Sequence, residues 1–161
     1  MKYRAFTKEE LETFKEDFIK FLSANTITGE DWKKIKAEKP NEAEELLNMF
    51  SDIVWEKSLS KIKYLEHSSE KDLKVFRYGE EKVEMVAFKV SSEKAPSLLE
   101  ESTFAKLADG SLQLSDLAPE FYTSEKGYTD AREMELFKMM EEGCRPTSEQ
   151  FYYGIKSLLK K

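Results

Sequence analysis

The sequence predicts an α+β fold, with about five helices packed on a small, mainly antiparallel sheet. Three observations point there. Apolar residues recur at helical spacing over most of the chain. The period switches to two between Leu73 and Val90. Ser, Thr and Asn residues with an acidic or amide residue three positions on punctuate the helical stretches.

Thr7 opens the first helix, with Glu10 at the capping-box position, and Leu11, Phe14, Phe18, Phe21 and Leu22 carry one stripe to about residue 24. A short second helix follows Thr28, paired with Asp31; it turns Trp32 and Ile35 inward and stops at Pro40. The longest element spans Asn41–His67, with Asn41 as cap and Glu44 as its return partner. Its early apolar face is Ala43, Leu46, Leu47, Phe50, Ile53 and Val54. Later, Trp55, Leu59 and Ile62 gather on another side, while Lys57 and Lys61 take the direction of Phe50. The favoured reading is one long, partly central helix. The other is a break near Ser58 or Ser60 and re-entry as strand.

Leu73–Tyr78 and Val83–Val90 alternate around Gly79-Glu80-Glu81, which makes a hairpin, and apolar residues on both faces of its second strand predict a covered position. Residues 97–108 are expected as a helix, Leu112 and Leu114 as a short strand after Asp109-Gly110, and Glu120–Thr123 as another strand. A helix starting at Thr129 or Asp130 runs through Met134, Phe137 and Met140 to Gly143. Thr147, with Gln150, caps a last helix whose Phe151, Tyr152, Ile155, Leu158 and Leu159 form one stripe. With no repeat, low-complexity tract or linker, residues 1–161 read as one domain.

Composition narrows the function. Hydrophobic residues make up 40% of 161 residues, with 11 Phe and 7 Tyr, enough for a folded core. The 36% of charged residues interleave both signs to a net −6, which disfavours general binding to nucleic-acid phosphates or anionic membranes. The basic stretches, Lys33-Lys34-Ile35-Lys36 and Lys160-Lys161, are short. One cysteine, no apolar leader and no run of membrane-spanning length make the cytoplasm the expected compartment. Six scattered glycines leave no phosphate loop, dinucleotide fingerprint or nucleophile elbow, and a single histidine excludes HExxH zinc sites. No cofactor or metal is indicated.

Three groupings remain as candidates. His67 and Cys144 are the one pair able to support thiol nucleophilic catalysis, provided the helix start near Thr147 lowers the thiol pKa; a buried small thiol and a surface histidine are the plainer reading. Glu45, Asn48, Asp52 and Glu56 line one side of a helix, as a hard-cation or substrate site does and as a solvated face does more often. Met134, Met139 and Met140, with Tyr152 and Tyr153 in the next helix, form either an adaptable partner groove or core.

The stretch FSDIVWEKSLSKIKYLEH (Phe50–His67), with the opening MKYRAFTKEELE and the late EEGCRPTSEQFY, resembles a family of short, functionally uncharacterised bacterial proteins. The resemblance implies a compact bacterial cytoplasmic protein and carries over no activity, ligand or catalytic residue. The expectation is therefore a non-enzymatic protein-interaction or regulatory protein, with a protein partner or a second copy of itself. The alternative is a small enzyme or ligand-binding protein using Asp52, Glu56 and His67 near Trp55 and Tyr64.

Overall fold

The computed structural model describes residues 1–159, so Lys160 and Lys161 lie outside the described residues. The class is α+β: seven α-helices and a five-stranded antiparallel sheet among the described residues, against the five or so helices expected. The chain divides into two compact units, Met1–Ser60 and Lys61–Lys161.

The first unit is helical. Thr7 and Glu10 form the capping box that starts α1 (Lys8–Thr13). The single helix expected to residue 24 is instead interrupted at Phe14, where the backbone leaves helical dihedrals, and α2 (Lys15–Ala24) follows. Thr13 bonds back to the Glu9 carbonyl at 3.1 Å, a contact that bends helices. The break lets Phe14 stack on Phe6 at 5.2 Å while Phe18 and Phe21 reach Phe50 at 5.1 and 5.5 Å. Thr28 and Asp31 cap α3 (Gly29–Glu38), and Trp32 meets Phe18 edge-on at 5.1 Å.

Lys39 ends α3, and Pro40 is itself the first residue of α4 (Pro40–Lys61). Asn41 therefore lies inside the helix and is not its cap. Proline suits that first position because its fixed φ is already helical and its missing N–H had no partner to lose. Along α4 the buried side moves from Ala43 and Phe50 to Leu59. Ile53, expected on the buried face, is 51% exposed. The helix ends at Lys61, so the favoured reading of one helix to His67 is corrected: Tyr64–Ser68 is strand β1.

In the second unit β1 pairs with β2 (Asp72–Tyr78), which turns into β3 (Lys82–Val90), and β3 pairs with β4 (Pro119–Gly127). The short β5 (Arg145–Pro146) joins the other side of β1, giving the order β4-β3-β2-β1-β5. Leu73 and Val75 of β2 with Val86, Phe88 and Val90 of β3 form one apolar sheet face. Leu98, Leu117, and Tyr152 and Ile155 of α7 (Glu149–Leu158) close over it. Ser148, one residue later than expected, caps α7 by accepting the Phe151 N–H.

Three other boundaries move. The 97–108 helix begins only at Glu101, as α5 (Glu101–Asp109). Leu114–Leu117 is a 3-10 turn rather than strand. Arg132, not Thr129 or Asp130, opens α6 (Arg132–Glu141). Its side chain is used elsewhere: the guanidinium donates to the carbonyl oxygens of Ile62 and, at 3.2 Å, Tyr78. It thereby pins the start of β1 to the end of β2. Tyr128 donates to the Gly79 carbonyl at 2.7 Å and braces the hairpin turn.

Candidate functional site

The densest polar arrangement in the first unit ties residues 2–6 to the middle of α4. Asp52 accepts the backbone N–H of Lys2 at 2.6 Å on one carboxylate oxygen and that of Tyr3 at 2.9 Å on the other. Glu56, one turn on, accepts the Tyr3 hydroxyl and the Lys2 ammonium, the latter at 2.9 Å. The Tyr3 hydroxyl first, and the Lys2 ammonium second, hold the Glu56 carboxyl below the usual range. Buried Ser51 completes the row: its hydroxyl donates to the Leu47 carbonyl at 2.8 Å and accepts the Phe6 N–H at 3.2 Å. A buried serine is acceptable here because both its donor and its acceptor capacity are used.

Arg4 extends the tie. Its guanidinium grips Glu10 with two bonds of 2.9 Å and lies 5.0 Å over the Trp55 ring, which also packs against Phe6. The Arg4 bonds, followed by the Thr7 N–H, bring the Glu10 carboxyl down to about 2. Asp52, Glu56 and Trp55, expected as ligand or catalytic residues, thus hold the chain's own first residues.

Beside this tie is open surface. Met1, Glu45, Asn48, Met49 and Asp52 line a shallow depression of about 410 Å³. Met49 and Ile53, four residues apart on one face of α4, are each 51% exposed. The Glu45–Asn48–Asp52–Glu56 row therefore borders an apolar strip. Among the described residues no group of three or more His, Cys, Asp or Glu side chains is gathered as a metal site needs.

In the second unit, Tyr64 and His67 point to opposite faces of β1, three residues apart on a strand that alternates sides. Tyr64 packs against Tyr152 at 5.5 Å as part of the core margin. His67 is exposed. Register does bring His67 and Cys144 together: Leu65 faces Pro146 and Glu66 faces Arg145, so the next step sets His67 beside Cys144. Gly143, in the left-handed region at φ 110°, lies against the imidazole; a Cβ there would sit 3.8 Å from Cδ2 and Nε2. Sequence offers no sign of this meeting, because β5 is two residues long. Yet Cys144 is only 6% exposed, and burial, with Glu142, pushes its thiol up, opposite to what a helix N-terminus would do. No hydrogen bond joins the two among the described residues. A buried, protonated thiol is a poor nucleophile.

Met134 in the first turn of α6 and Met139 and Met140 in its last turn are half-buried, whereas Met1 and Met49 face solvent. A groove of about 320 Å³ lies between Glu66, Ser68 and Arg145 on one side and Leu98, Phe104 and Phe151 on the other. No described helix is long and apolar enough to cross a membrane. No curated protein and no solved structure matches the chain. A family of unknown function, DUF6495, matches residues 1–160, and the chain belongs to that family.

Proposed function

We propose that this is a non-enzymatic protein-interaction or regulatory protein of the bacterial cytoplasm, which binds a protein partner through the exposed strip of α4. The observation that carries this reading is the solvent-facing pair Met49 and Ile53 on a helix whose opposite side carries buried Ser51 and whose flank is tied down by Asp52 and Glu56. Large apolar side chains presented at i, i+4 on a rigid helix suit the face of another protein, and a thioether adapts to varied partner shapes. The cytoplasmic setting rests on a single cysteine and mixed surface charge. A carboxylate/His catalytic reading has less support, since Asp52 and Glu56 already carry chain-internal bonds and His67 stands opposite Tyr64 on its strand.

The test is affinity capture from the native cytosol with wild type and with Met49→Asp/Ile53→Asp, at matched melting temperature. The expected result is a discrete protein retained by wild type and lost by the variant. The same proteins on both baits, or none on either, would overturn the reading.

A further inference from the structure

The edge strand β4 offers a second, independent surface. At nine residues it is as long as β3, stands at the end of the sheet, and is exposed from Tyr122 to Gly127. Natural edges are usually kept short, bulged or covered. Proline is confined to the first position and glycine to the last, so residues 120–126 form an uninterrupted template.

Its hydrogen-bonding phase follows from the ladder. Ser91 N–H donates to Ala118 O, and the register continues Lys89–Glu120, Ala87–Tyr122, Met85–Ser124 and Val83–Lys126. Hydrogen-bonded pairs in an antiparallel ladder recur every second residue. The even-numbered residues of β4 therefore bond to β3. Phe121, Thr123 and Glu125 aim their N–H and C=O groups away from the sheet.

We propose that β4 pairs antiparallel with β4 of a second copy about a two-fold axis at Thr123. In that register Thr123 faces Thr123, Phe121 faces Glu125, and the outward groups of both strands meet. Glu120 then faces Lys126 of the other copy, and Lys126 faces its Glu120. These are non-hydrogen-bonded pairs, where opposed side chains approach most closely. Sliding by one residue in each strand loses the match: Glu120 then meets Ser124, or Lys126 meets Tyr122. Among the described residues neither Glu120 nor Lys126 has an ion pair within its own chain, unlike Glu125, which holds Lys82 at 2.7 Å. One register thus satisfies the backbone and adds a direct partner to two charges whose nearest opposites within the chain, Lys89 for Glu120 and Glu135 for Lys126, form no ion pair with them, and the partner it fits is the same strand.

The test is sedimentation velocity from about 1 μM to about 1 mM, the range in which a small interface dissociates. Wild type is expected to form a concentration-dependent dimer. Lys126→Glu, which sets two like charges against each other, should raise the dissociation constant roughly tenfold, and Glu120→Lys/Lys126→Glu should restore it. Thr123→Pro, which removes an outward N–H while sparing the bonds to β3, should abolish the dimer. A monomer throughout the range, or a dimer indifferent to charge reversal and to Thr123→Pro, would overturn the proposal. Either outcome would leave the Met49–Ile53 reading intact, because that strip belongs to α4 and involves no residue of β4.

Discussion

Tyr3 is held to Asp52 through its backbone: the Tyr3 N–H donates to one carboxylate oxygen at 2.9 Å while the Lys2 N–H occupies the other. A carboxylate placed this way reads no side-chain identity and needs no substrate. It turns an otherwise loose segment into a strap across residues 51–56 of α4. Charge-assisted bonds of this kind contribute roughly 1.5–3 kcal/mol each before screening and exposure reduce them. Asp52→Ala should therefore cost about 1–3 kcal/mol in denaturant unfolding, with an unchanged m-value, and Asp52→Asn clearly less.

Acid should loosen the same region. Glu10, held at about 2 by Arg4 against an ordinary 4.5, has a folded pKa below its unfolded one. Its contribution is therefore present above about 4.5 and is lost as the pH falls through about 2. Glu56, lowered chiefly by the Tyr3 hydroxyl, acts in the same direction. Chemical denaturation across this range should show a shallower acid loss for Glu10→Gln than for wild type, beginning from a lower stability at neutral pH.

Phe50 and Met49 are neighbours in sequence with opposite surroundings, 2% and 51% exposed. Phe50 is ringed by Phe6, Phe18 and Phe21. Phe50→Ala should cost about 3–5 kcal/mol. Met49→Asp should cost far less, about 0.5–1 kcal/mol, since half of Met49 already faces solvent. Equal effects of the two on the melting temperature would contradict the placement of α4.

Cys144 should be slow to react. A thiol that is buried and pushed up by that burial has little thiolate at neutral pH. Alkylation at pH 8 should be many-fold slower in the folded protein than after denaturation. His67→Ala should leave the folded rate unchanged, whereas an active Cys–His pair would lose it.

What the sequence made legible is what residues decide with near neighbours. The Thr7–Glu10 and Thr28–Asp31 boxes close over three residues, and the β2–β3 hairpin is written in its own alternation. β1 was harder, because helical spacing runs on through Leu59 and Ile62 and only five residues follow as strand. Ile53 shares a stripe with Phe50 on a helical wheel, but the packing of α2 and residues 2–6 decides which part of the stripe is covered. The part played by Asp52 had no local signal: its partners are backbone N–H groups 49 and 50 residues away. Any residue but proline supplies that donor, so no motif could announce it.

The most direct test of the claim that the α4 carboxylates serve as anchors is amide hydrogen exchange at Lys2, Tyr3 and Phe6, in wild type and in Asp52→Ala. The expected result is protection at all three positions in wild type, lost at Lys2 and Tyr3 in the variant while α4 itself stays protected. Unprotected amides in wild type, or protection that survives the loss of Asp52, would contradict it and return Asp52 to the list of groups awaiting a ligand.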